Sequence, residues 1–133
     1  MVRRTMGAIV IALTLGTMLA VPAEAVDPDF TGYFAGTIHR VSGPVRVCGR
    51  NDRLDWRIRT VNARTRHVRS LSGRYSLTLK YRRHAWRAAY SVRGWDYKYV
   101  LRYHATRQIA TGGILARYNR LLRCDYTVEL LND

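Results

Sequence analysis

The chain has 133 residues, with 23 Lys or Arg against 9 Asp or Glu and a formal net charge of +14. That length supports one domain with one modest core, and that charge sets up a strong positive field that attracts polyanions. The two cysteines stand in no zinc-binding spacing, and no long linker, internal repeat or low-complexity tract interrupts the chain.

The N-terminus reads MVRRTMGAIVIALTLGTMLAVPAEA, with Arg3 and Arg4 ahead of an apolar run from Met6 to Val21 and a small-residue site at Ala23-Glu24-Ala25. This is the grammar of a secretory signal peptide. The apolar run is also shorter than the roughly 20 residues of a membrane span. The expectation is a leader over 1–25, cleaved near Ala25, and one all-β domain over 26–133, exported (secreted or periplasmic) with no transmembrane segment after processing. In an oxidising compartment Cys48 and Cys124 then pair as a disulfide.

Phe30 to Val41 opens the domain. Tyr33, Ala35, Thr37 and His39 alternate with Phe34, Gly36, Ile38 and Arg40, and Gly32 and Gly36 allow bending or close backbone approach. Ser42-Gly43-Pro44 turns the chain, and Val45 to Gly49 reads as a short strand bearing Cys48. Arg50 to Arg53 has turn chemistry. In the strand from Leu54 to Ala63, Leu54, Trp56 and Ile58 face in while Asp55, Arg57 and Arg59 face out. Arg64 to His67 reads as a basic loop. Val68 to Arg82 reads as one long strand bent at Gly73, since Leu71, Tyr75, Leu77, Leu79 and Tyr81 stay in phase.

Beyond Arg83-His84 the alternation restarts with Trp86, Ala88, Tyr90 and Val92 on one face. Beyond Gly94-Trp95-Asp96 it restarts with Tyr97, Tyr99, Leu101 and Tyr103. Period-two runs joined by short breaks are antiparallel strands of a meander. Thr111-Gly112-Gly113 carries a turn signal, and the spacing of Ile114, Tyr118, Leu121 and Leu122 predicts either a short helix over 114–122 or a hairpin. Cys124, Tyr126, Val128 and Leu130 form the closing strand, which the disulfide ties to the short strand at Cys48. The whole is a small antiparallel β-barrel or a two-sheet sandwich of seven to eight strands, stapled by one disulfide.

His39, His67, His84 and His104 are too scattered in sequence for a metal pair, and no cofactor motif is present. The serines stand in no nucleophile elbow. Phosphodiester hydrolysis needs an acid, a base and a cation on the phosphate. His84 or His104 with Glu129 and Arg82 or Arg102 are the residues that would supply them. The stronger pattern is arginine interleaved with aromatics. Arg57 with Arg59, Arg87 with Arg93, and Lys98 with Arg102 project in rows from one sheet face, while Arg64, Arg66, Arg82 and Arg83 stand in or near loops. The guanidinium fork grips phosphate or carboxylate bidentately. Tyr75, Tyr81, Trp86, Tyr90, Tyr99 and Tyr103 are in phase with the core, or line a pocket if the barrel is wide. The reading is a basic, non-catalytic binding protein for an anionic polymer, an anionic lipid headgroup or an acidic protein, with nucleic acid as an unspecific partner. The alternatives are a small secreted hydrolase of the ribonuclease type and a secreted inhibitor or toxin-like effector that docks on an acidic protein.

Overall fold

Residues 30–133 are described in the computed structural model; the expected leader lies outside the described residues. Eight strands run in sequence order: β1 (Gly32–Ser42), β2 (Asn51–Asn62), β3 (Thr65–Ser70), β4 (Ser76–Arg82), β5 (Ala85–Val92), β6 (Trp95–His104), β7 (Ile109–Tyr118) and β8 (Leu122–Asn132). Each pairs antiparallel with its neighbour, and β8 returns to β1, so the sheet is a closed barrel rather than a sandwich. Closure leaves no sheet edge at the ends of the chain.

Two of the hairpin turns are two-residue loops with left-handed dihedrals, Arg83-His84 (φ 52 and 63°) and Arg93-Gly94 (φ 50 and 83°). That handedness matches the twist of the flanking strands. Alternating strand directions place the β1–β2, β3–β4, β5–β6 and β7–β8 connections at one rim. The remaining connections, Phe30 and the C-terminus lie at the opposite rim.

The second rim is packed solid. Phe30 sits inside it, with ring centroids 5.2 Å from Phe34, 4.9 Å from Tyr103 and 5.7 Å from Trp86. Arg66 is inserted beside these rings and is 1% exposed. Its Nε donates to the Phe30 carbonyl (3.1 Å), one terminal nitrogen donates to Asn62 O (2.7 Å) and Thr65 O (3.1 Å), and the guanidinium lies 4.7 Å from the Trp86 ring centroid. Among the described residues the buried charge is thus held by carbonyls and an aromatic face. Arg66→Met keeps the apolar stem but strands those carbonyls, and we expect it to cost about 2–3 kcal/mol in urea unfolding. Arg59→Met on the exposed face of β2 should stay within about 0.5 kcal/mol.

The structure corrects several local expectations, among them the turn at Arg50 to Arg53, where β2 already begins at Asn51. Residues 114–122 form no helix: Ile109–Tyr118 is a strand paired with both β6 and β8, and two-sided pairing outweighs the helical spacing of its apolar residues. Gly112 and Gly113 lie within that strand, not in a turn. Val45–Cys48, expected as a strand, is one helical turn (α1) set between Pro44 and Gly49, the latter at φ 70°. The long strand over Val68–Arg82 is two strands, β3 and β4. The chain reverses between them, where Gly73 N–H donates to Ser70 O (2.9 Å) and Leu71 turns out to solvent. Finally, β3 begins at Thr65, so the expected basic loop is reduced to Ala63-Arg64 and Arg66 points inward with Val68 and Ser70.

Candidate functional site

The barrel wall is continuous except between β4 and β5. Their ladder starts at the Arg83-His84 turn, pairs Arg82 with Ala85, Tyr81 with Trp86 and Lys80 with Arg87, and stops there. Beyond that point β4 stays paired with β3 as far as Ser76–Arg69, and β5 stays paired with β6 as far as Val92–Trp95. Between Ser76–Leu79 and Ala88–Ser91 no ladder joins the two strands. A hollow of about 580 Å³ opens at this split. Ala88 and Ala89 are too small to fill it, and Leu77, Tyr90 and Tyr99 reach it from the inner face.

The outer lining is cationic. Lys80, Arg82, Arg83, Arg87 and Lys98 all line the hollow, and no acidic residue does. Lys80 and Lys98 are the only lysines in the chain. Lys80 stands directly opposite Arg87, a like-charge cross-strand pair that weakens the ladder where it ends. The Arg87 Nε donates to Arg82 O (3.1 Å), which fixes that side chain over the turn. Arg83 and His84 hold left-handed dihedrals that cost a non-glycine residue about 1–2 kcal/mol each. The segment therefore gathers positive charge at a backbone cost, beside a hollow with no acidic residue in its lining.

A second hollow, of about 370 Å³, occupies the barrel mouth at the disulfide rim. Its walls include Tyr75, Tyr90, Tyr97, Tyr99 and Tyr126, with Ile38, Leu54 and Ile114. The Tyr75, Tyr90 and Tyr97 rings stack in series, with centroids 6.4 and 4.9 Å apart. Trp56 Nε1 donates to the Tyr75 hydroxyl (2.7 Å), and the Tyr126 hydroxyl donates to Cys48 O (2.7 Å). Burial pushes the Tyr99 phenol well above its ordinary value, aided by its hydrogen bond with Tyr90 and by the neighbouring phenols. Burial likewise raises Tyr75, Tyr97 and Tyr126. The mouth therefore presents neutral hydroxyls and ring faces at neutral pH. The Cys48–Cys124 disulfide, with Cα atoms 5.7 Å apart, anchors α1 at this rim.

The residues expected to bind anions thus divide. Arg82, Arg83, Arg87 and Lys98 converge on the wall cleft, joined by Lys80, which the sequence reading left out although it alternates outward with Thr78 and Arg82. Arg57 and Arg59 lie on the outside of β2, where Arg57 covers the Tyr33 ring (5.5 Å). Arg64 covers Tyr81 (5.8 Å), Arg93 sits in the β5–β6 turn, and Arg102 faces out on β6. Arg66 is a core residue and leaves the set. Of the aromatic residues, Tyr75, Tyr90 and Tyr99 line the mouth, together with Tyr97 and Tyr126, which were not singled out. Tyr81, Trp86 and Tyr103 instead pack at the opposite rim around Phe30.

The acid–base candidates do not meet in a cleft. His84 is on the β4–β5 turn. His104 lies within hydrogen-bonding distance of Thr111 Oγ1 (3.2 Å) on the outer face, where Arg102, Thr111 and Glu129 form one cross-strand row. None of these lines either hollow. Among the described residues no group of three or more His, Cys, Asp or Glu is placed to hold a metal ion. No family model, no curated protein and no solved structure matches the chain. The two hollows differ in chemistry: a cationic cleft that can take a phosphate or carboxylate, and a tyrosine-lined mouth that can take an apolar or aromatic group.

Proposed function

We propose that the chain is a non-catalytic binding protein for an anionic partner, exported through the leader at 1–25, and that the split between β4 and β5 is its binding site. One observation carries this reading: Lys80, Arg82, Arg83, Arg87 and Lys98 surround one hollow with no carboxylate among its lining residues. Charge scattered by composition would be interspersed with acids or spread over all strands. Here Lys80 and Arg87 face each other at a cost that a bound anion removes. The intramolecular disulfide suits an oxidising compartment, where envelope polymers, anionic lipids and acidic proteins are the anions available.

The test compares two triple variants, Lys80→Gln/Arg87→Gln/Lys98→Gln in the cleft and Arg57→Gln/Arg59→Gln/Arg69→Gln on the outer face of β2 and β3. With a single-stranded oligonucleotide as a polyanion probe, loss of three contacts lowers the slope of log K against log salt by about 2. We expect that drop in the cleft variant and little change in the other. Equal drops in both would mean that the binding is a property of overall charge, and the cleft would lose its place in the reading.

A further inference from the structure

The two hollows are not independent. Tyr90 and Tyr99 belong to the lining of both. On one side of these rings lies the cationic cleft, and on the other the mouth, where Ile38, Leu54 and Ile114 supply apolar wall. The split in the wall, bounded by Leu77 and Ala88, therefore leads from a charged outer surface to the two rings that separate it from the inner hollow, whose lining combines Ile38, Leu54 and Ile114 with tyrosines and, at the rim, Arg50, Asn51 and Asp52. An inorganic anion would use only the cleft, and an extended acidic peptide paired with the free strand edges would fill the split and leave the interior hollow untouched. An anion with a hydrocarbon tail uses every part: the head sits among the cations, and the tail passes Ala88 and ends against Leu54 and Ile114. At about 370 Å³ the inner hollow is within the size range of small-molecule sites.

We infer that the ligand of this protein is a single-chain anionic amphiphile, a phosphate or carboxylate head bearing an alkyl tail, bound through the side of the barrel. The inference rests on the cleft being the binding site, and adds the tail. Head and tail make separable contributions. Each methylene taken out of water contributes about 0.8 kcal/mol, which is about a fourfold gain in affinity.

The experiment is calorimetric titration of the oxidised protein with inorganic phosphate and with butyl, hexyl, octyl and decyl phosphate, each below its micellar concentration. The expected result is an affinity that rises about fourfold per methylene and then levels off when the hollow is full. Ala88→Leu, which narrows the split, flattens the series. Decyl phosphate, unlike inorganic phosphate, shifts the NMR methyl resonances of Ile38, Leu54 and Ile114 in the unaltered protein, a readout that does not depend on the variant folding. A series that is flat with chain length, with phosphate still bound, overturns the tail and leaves the anion site standing. Absence of binding to every member overturns both. Tighter binding of an acidic peptide than of decyl phosphate overturns the amphiphile and gives the split to a strand.

Discussion

Gly36→Ala stops the barrel from closing. Gly36 lies on β1 opposite Leu130 of β8 and Leu54 of β2, at the seam where the last strand returns to the first. A Cβ at this position overlaps the backbone carbonyl of Glu129 and crowds the Leu130 Cα. Neither is the end of a flexible side chain, so one strand must retreat, and retreat breaks the ladder that closes the sheet. The expected loss is about 4 kcal/mol or more, the range reserved for backbone clashes and similar faults, and it is read from the urea midpoint together with its slope. A slope that falls along with the midpoint would show an opened native barrel. Gly113→Ala is the control, because its nearest obstruction, the Tyr126 carbonyl, is 3.2 Å away. It should cost about 1 kcal/mol or less. Equal losses for the two would mean that glycine matters here only through chain entropy.

The second large effect is removal of the disulfide. Cys48 and Cys124 are separated by 76 residues, and closing a loop of that size is worth about 4 kcal/mol of unfolded-state entropy. Against a domain stability of about 5–15 kcal/mol, that decides whether the chain is folded at body temperature. The enthalpic side is local. Cys48 and Cys124 are both buried with Ala116, and α1 reaches the barrel through this bond and the Tyr126–Cys48 hydrogen bond. We therefore expect Cys48→Ala/Cys124→Ala, or reduction with dithiothreitol, to lower the unfolding free energy by about 4 kcal/mol while the packed rim around Phe30 keeps its near-ultraviolet signature in the surviving folded fraction. A loss under about 1 kcal/mol would show that the reduced chain is already held compact by its core.

Much of this architecture was legible in the residues. The phase of Leu54, Trp56 and Ile58, of Leu77 and Leu79, and of Cys124, Val128 and Leu130 set which faces are buried, and each of these side chains is in the core. Closure was not legible, because period two says that a strand has an inner face and not which strand lies beside it. Its trace is the clash volume at Gly36 and Gly112, which becomes visible only when the neighbouring backbones are in place. Arg66 was misplaced for a related reason. Assigned to a loop, it had no face, although counting back from Val68 by twos points it inward. The site was legible in part. Parity showed that Arg87 and Lys98 face out, but their convergence depends on where the β4–β5 ladder stops. That point is set by like charges at Lys80 and Arg87 and by small side chains at Ala88 and Ala89, acting together across two strands.

The placement of the two lysines has a practical side. Every other cationic side chain is an arginine, so the ε-amines of Lys80 and Lys98 are the only ones the protein carries, and both face the cleft. Apart from the chain's own α-amine, an amine-reactive dye, a biotin ester or an amine-coupled sensor surface can attach nowhere else. Such reagents mask the cleft while they label the molecule. A protein tethered in this way would look inert toward the anion proposed for the cleft, and tethering through a thioester or an affinity tag at the C-terminus would leave it open.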